Sequence, residues 1–249
     1  YNALDKVLRC LNSLQAGAHE NNKYIVQDDA SPNVLFPACV PLCAAITYRN
    51  EYNRGFPGNC NEGAKHAQAD VLFFVNQDVY AVPQFSRGWD TALLNVFDDP
   101  QVGVVGARLL FPNGTIQSVG GLFDGKGHPF HRCLGYSNLA YPGVALPKEV
   151  RWTTGAAFAV RRSLWEQIGG FDTAYGRGYF EDVDFCMRAR QKGVQVWNEP
   201  RCTLIHEVGS TGGSPHFMDN ARLFKSRWVD TGLVQPDTPA IDMQGASWW

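Results

Sequence analysis

No run in this sequence approaches the roughly 18 apolar residues that a membrane-spanning helix needs, and its first residues lack the basic and apolar blocks of a secretory leader. The expectation from both absences is a soluble domain. Nor is there an excess of charge of either sign. Twenty-two basic and 24 acidic residues leave a net charge of -2, which gives no electrostatic reason to expect nucleic acid as a partner. Any anionic ligand must then be held by a local site, through a metal or a few placed basic groups. The seven cysteines, at positions 10, 39, 43, 60, 133, 186 and 202, contain no CxxC pair and leave an odd one over. That usage points to reduced thiols and a cytoplasmic compartment. Cys39 and Cys43 lack the second ligand pair of a zinc site. No internal repeat or low-complexity segment interrupts the chain.

What is present is ordinary for a globular fold. The chain has 249 residues, 45% hydrophobic and 18% charged, enough for one domain with a substantial core. Leu4, Val7, Leu8, Leu11 and Leu14 recur at helical spacing behind Asn2 as a cap. Short apolar strands are expected at 24–26, 44–48, 71–75 and 102–105, with helices at 57–68 and 84–97 between them. Val71 to Val75 has the continuous apolar character of a strand buried in a parallel sheet. It ends in Asn76-Gln77-Asp78, and polar residues at the carboxyl end of a buried strand are where open α/β sheets bind ligands. This alternation predicts an α/β fold. Residues 111–148 are rich in Gly, Pro and Asn, with Phe111-Pro112-Asn113-Gly114 as a hairpin turn. A strand over 156–160, a helix over 163–168, a helix after Glu181 and strands at 194–197 and 203–205 complete the pattern.

The densest chemistry lies at Gly178-Tyr179-Phe180-Glu181-Asp182-Val183-Asp184-Phe185. Three carboxylates within four positions repel one another, which can raise one pKa toward that of a useful general base or bind a cation. The same residues would also suit a helix N-terminus, where acids offset the macrodipole. It opens a segment that runs to His206, and three further segments accompany it: Gln27 to Ser31, Asn53 to Gly63, and Asn76 to Asp78.

In this order and spacing the four segments resemble glycosyltransferase family 2, enzymes of the GT-A fold that transfer a sugar from a nucleotide donor with inversion. The resemblance runs from residue 1 to about residue 211. It implies a Rossmann-like, mostly parallel central sheet flanked by helices, with a less regular acceptor-side second half. One domain over 1–249 is expected, with a nucleotide-binding half at 1–110, an acceptor and catalytic half at 111–211 and an extension at 212–249. Tyr1-Asn2 looks like the end of the family's first strand beside the nucleotide, which implies a piece of a longer chain.

Asp28-Asp29-Ala30-Ser31 is similar to the motif in which a carboxylate accepts a hydrogen bond from the nucleobase, and Asp28 is favoured over Asp29 for that role. An Asx turn capped by Ser31 is the structural alternative. In the segment from Asn53 to Gly63, Arg54 could reach the base or a phosphate, and Asn59 and Asn61 could bond to backbone or ribose. Asn76-Gln77-Asp78 occupies the place of the family's Asp-x-Asp motif, which holds a divalent cation on the donor phosphates. With Asn at its first position, Asp78 carries most of that task and Asn76 could meet the ribose. His206 matches a metal-ligating histidine, implying Mg²⁺ or Mn²⁺, and Ser210 and Thr211 could contact the diphosphate. Thr154-Gly155-Ala156 resembles the floor of the donor-sugar site, with Gly155 at its centre. Asp182 is the expected base toward the acceptor hydroxyl, and Glu181 or Asp184 could orient the base or the acceptor.

The implied donor is a UDP-, dTDP- or GDP-sugar, and the implied acceptor is a glycan or a lipid-linked glycan. The setting implied is cytoplasmic, at the inner face of a membrane, with peripheral association through segments outside this sequence. The alternative reading is a catalytically weak nucleotide- or carbohydrate-binding module. His128 and His131 read as a loop near the acceptor. Tyr136, Tyr141 and Trp152 could stack on a sugar or simply pack.

Overall fold

A computed structural model describes residues 3–32, 45–137, 139, 140, 142–207 and 216–237. Helix α1 (Leu4–Gly17) buries Val7, Cys10, Leu11 and Leu14, the stripe expected from its periodicity. Ala3 stands at its cap position with no side-chain cap bond; Asn2 lies outside the described residues. Strands β1 (Tyr24–Asp28) and β2 (Ala45–Arg49) follow and pair in parallel as a separate two-stranded sheet. Helix α2 (Gly55–Ala64) begins and ends earlier than its expected span, and Gly55, with a left-handed φ of 72°, turns the loop into the helix.

Seven strands form the central sheet, ordered β3 (Val71–Val75), β10 (Ala157–Arg161), β5 (Val102–Leu110), β11 (Gln195–His206) and β4 (Val79–Tyr80), with β6 (Ile116–Ser118) on β5 and β9 (Lys148–Glu149) on β11. Strands β7 (Gly121–Phe123) and β8 (Pro129–His131) pair separately, and the short α5 (Pro142–Ala145) follows them. Parallel pairing in it is confined to the long β5–β11 ladder. Val71–Val75, expected inside a parallel sheet, instead ends the strand order and pairs antiparallel with β10. Its partly exposed pattern shows why an apolar run alone does not reveal strand direction. The expected strands at 194–197 and 203–205 are two ends of β11, joined through an irregularity between Glu199 and Thr203.

Side-chain alternation on β10 divides the core. Phe158 and Val160 pack on one face with α6 (Arg162–Ile168) and α7 (Glu181–Gln191), while Ala157 and Ala159 face α1 and α4 (Trp89–Val96). Each fully buried large side chain such as Phe158 contributes about 1.5–3 kcal/mol. The expected helix over 84–97 is split: α3 (Pro83–Ser86) precedes Gly88, whose φ of 66° breaks the helical path before α4. The hairpin turn at 111–114 is present. Phe111 N–H donates to Thr115 O, and Gly114 has φ 83°. No helix among the described residues is long and apolar enough to cross a membrane.

Candidate active site

Asp78 and His206 are brought together by strand pairing. Val79 on β4 lies opposite His206 at the end of β11, and Glu207 N–H donates to Asp78 O at 3.0 Å. Their side chains, both largely buried, meet with His206 Nε2 3.2 Å from Asp78 Oδ1. The other ring nitrogen, Nδ1, lies 2.7 Å from Gln117 Oε1. Among the described residues no group of three or more His, Cys, Asp or Glu side chains converges as a metal site. One oxygen and one imidazole nitrogen still suit a divalent cation such as Mg²⁺ or Mn²⁺ that takes its remaining ligands from phosphate and water.

The acidic segment is held differently. Tyr179 and Phe180 both adopt φ 75°, and Gly178 adopts φ 130°. For two bulky residues this left-handed backbone costs about 1–3 kcal/mol each, so the surroundings must hold it. Asn220 on α8 (Phe217–Phe224) supplies part of that hold, its Nδ2 lying 2.8, 2.7 and 3.2 Å from the carbonyls of Tyr175, Gly178 and Tyr179. The chain then enters α7 at Glu181 without a side-chain cap.

Glu181 is buried and its Oε2 has no hydrogen-bond partner. Burial, reinforced by the neighbouring Asp182 and Asp184 charges, pushes its pKa well above 4.5. Asp182 accepts from Gly155 N and Val183 N, each at 2.8 Å. Burial raises its pKa too, against the opposing pull of these hydrogen bonds. Gly155 is pinned from both sides, since a Cβ there would meet the Phe56 ring at 3.1 Å and Asp182 Cβ at 3.5 Å. Asp184 faces away into a structural network with Arg188 Nε at 2.7 Å, Trp228 Nε1 at 2.8 Å and Tyr175 Oη at 3.2 Å. Its open reading is thereby decided in favour of an anchor.

The residues expected to meet the nucleotide converge, with most of their polar atoms already engaged. Asp28 accepts from Ser31 N, from Ser31 Oγ at 2.5 Å and from Arg49 Nη1 at 2.8 Å. This is the capped turn foreseen as the structural alternative. Asp29 accepts from Asn50 Nδ2, Arg54 N and Gly55 N at 2.7–3.0 Å. Arg54 lies over the Tyr52 ring and 3.5 Å from Glu62. For Asn61 the backbone alternative is the one observed, because its amide exchanges two bonds with Phe171 O and N. Asn76 N–H donates to Ala156 O at 3.0 Å. Tyr1, Ser210, Thr211 and Tyr141 lie outside the described residues. Trp152 is buried packing, its Nε1 on Leu122 O. His131, partly exposed, ends the strand Pro129–His131 with its ring 4.8 Å from Trp152, so it does not lie in the expected loop. Sequence reading missed Gln117 and Asn220, neither of which belongs to a motif. Both act on residues more than 40 positions away.

With this geometry in hand, the sequence profile described as "Glycosyl transferase family 2" matches residues 1–168. The chain belongs to glycosyl transferase family 2. It is a glycosyltransferase domain, and the matched segment ends before Glu181. It is 31% identical over 181 residues to the O-antigen biosynthesis protein RfbC of Myxococcus xanthus, covering 69% of this chain and 13% of that protein. It is 30% identical over 158 residues to the N-acetylglucosaminyl-diphospho-decaprenol L-rhamnosyltransferase of Mycobacterium tuberculosis (strain CDC 1551 / Oshkosh), covering 59% of this chain and 50% of the relative. The chain thus spans half or less of these curated relatives. Among solved structures, GalNAc-T7 with UDP, GalNAc and Mn²⁺ superposes with a TM-score of 0.68 at 14% identity, covering 90% of this chain and 45% of the other. That likeness establishes the GT-A fold.

Proposed function

We propose that this domain is an inverting, divalent-metal-dependent transferase that moves a sugar from a nucleoside-diphosphate donor to the hydroxyl of a glycan or lipid-linked acceptor. One observation carries the reading. Two consecutive residues, Gly155 and Ala156, hold Asp182 through one backbone group and the Asn76–Asp78 turn through the next. The candidate base and the candidate cation pair therefore flank a single short floor.

In this reading Asp182, its pKa raised by burial, accepts the proton of the acceptor hydroxyl as the oxygen attacks the anomeric carbon. Burial pushes the Glu181 carboxyl up, which disfavours a second negative charge beside the forming bond. Asp78 and His206 would hold Mg²⁺ or Mn²⁺, which as a Lewis acid supplies charge stabilisation for the departing diphosphate. Asp28, Asp29, Ser31 and Arg54 shape the nucleotide pocket, Asn76 faces the ribose, and Asn61 fixes the floor through Phe171. Tyr1 and Ser210 are assigned to the nucleotide. The donor is a UDP-, dTDP- or GDP-sugar. The relatives' names favour a polysaccharide or polyprenyl-linked acceptor, and the proposed setting is the inner face of a membrane.

The test is metal-dependent transfer from a panel of these donors, followed by Asp182→Asn. Loss of transfer with nucleotide binding intact is the expected result; full transfer in the variant removes Asp182 from the role. A binding module is favoured by one observation, the neutral Asn76 where an acid is usual. Metal-dependent binding of nucleoside diphosphates with no turnover across the panel would establish it.

A further inference from the structure

We propose that Gln117 is a positioning residue that fixes the tautomer and ring orientation of His206. Gln117 lies on β6, is 7% exposed, and makes two contacts with one residue. Its Nε2 donates to the His206 backbone carbonyl at 3.3 Å, and its Oε1 lies 2.7 Å from His206 Nδ1.

The two contacts settle each other. A carbonyl oxygen only accepts, so the NH₂ end of the Gln117 amide must face it. That leaves the amide oxygen toward the imidazole, and an amide oxygen also only accepts. Nδ1 must therefore carry the hydrogen. In a neutral imidazole the lone pair then lies on Nε2, where a cation shared with Asp78 would meet it. With no cation, Asp78 Oδ1, itself only an acceptor 3.2 Å away, favours a hydrogen on Nε2 instead, so Gln117 is what holds the hydrogen on Nδ1. A single side chain thus chooses the tautomer and, by gripping both ring and backbone, also limits rotation of the ring. Histidines that bind metals are commonly fixed by such a partner on their other nitrogen, and its loss typically costs about 10- to 100-fold in affinity.

The consequence for cation binding rests on the reading of Asp78 and His206 given above; the tautomer does not. Chemical shifts of the ring nitrogens, recorded on ¹⁵N-histidine-labelled protein without metal at about pH 8.5, above the usual imidazole range, report the tautomer directly. The wild type is expected to show the Nδ1–H form at His206, and Gln117→Leu a mixture or the Nε2–H form. Mn²⁺ titrated in the presence of UDP should bind Gln117→Leu about 10- to 100-fold more weakly. Gln117→Glu retains an acceptor and should restore the Nδ1–H form. Should Gln117→Leu fail to fold, Gln117→Met removes both polar groups with less change of shape. An Nε2–H form in the wild type, or an unchanged tautomer in the apolar variants, overturns the inference. A changed tautomer with unchanged Mn²⁺ affinity overturns the positioning role. Absence of Mn²⁺ binding in the wild type, with a tautomer that still follows Gln117, supports the tautomer assignment while refuting the cation reading.

Discussion

Two pairs of adjacent acids, Asp28-Asp29 and Glu181-Asp182, lie in the two halves of this domain and meet opposite treatment. All four carboxylate oxygens of the first pair accept hydrogen bonds, from Ser31, Arg49, Asn50, Arg54 and Gly55. In the second pair Asp182 accepts from Gly155 N, Val183 N and the Thr154 side chain, while Glu181 is buried with Oε2 unpartnered. Donors that match acceptors make a scaffold, and a buried carboxylate oxygen with no donor leaves protonation as the way to relieve its charge. Under the proposed function, the difference would separate a wall of the site from its chemistry.

The largest effect that could break this contrast is at Asp182. Asp182→Asn should lower kcat by about 10²- to 10⁴-fold while calorimetry finds nucleotide affinity unchanged. If the first pair is scaffold, its removal should act on stability instead. Asp29→Ala strands three donors and should lower unfolding free energy by about 3 kcal/mol, measured by urea denaturation. An unaltered midpoint would mean the network carries little.

Asn220→Ala sharpens the comparison from outside either pair. It removes the amide holding the Tyr175, Gly178 and Tyr179 carbonyls, and should cost about 2 kcal/mol. It should also reduce kcat without changing nucleotide affinity, because the strained segment delivers Glu181 and Asp182. Loss of nucleotide affinity equal to the loss in kcat would instead indicate general disorder.

The smallest effect is the most diagnostic of Glu181. A carboxyl whose folded pKa lies above 4.5 contributes relative stability below that pH and loses it as pH rises through the folded value. Glu181→Gln is neutral throughout, so its melting temperature should match the wild type in acid. As pH rises above 4.5 the wild type should lose stability that the variant keeps, so the variant's melting temperature comes to exceed the wild type's. A gap that is the same at every pH would show that Glu181 is not a buried, reluctant acid.

Much of the fold was legible because it rests on local pattern. The stripe of α1, the apolar run of β3 and the turn at Gly114 each follow from residues within a few positions of one another. What failed locally failed for a tertiary reason. Val71–Val75 gave no sign of its antiparallel partner, because direction and order depend on which distant strand arrives beside it. Asn61 resembled a ligand contact until Phe171, 110 positions away, engaged both ends of its amide.

By itself the sequence determined an α/β chain of glycosyl transferase family 2 with polar residues at strand ends and acids at the start of a helix. Tertiary structure decided which of those acids are satisfied, that Asp184 anchors Trp228 and Arg188, and that Gln117 grips His206 across 89 positions. The physical reason is the range of the interactions. Periodicity and turn chemistry act through the nearest residues, whereas the state of a buried polar group is set by the donors that folding brings to it.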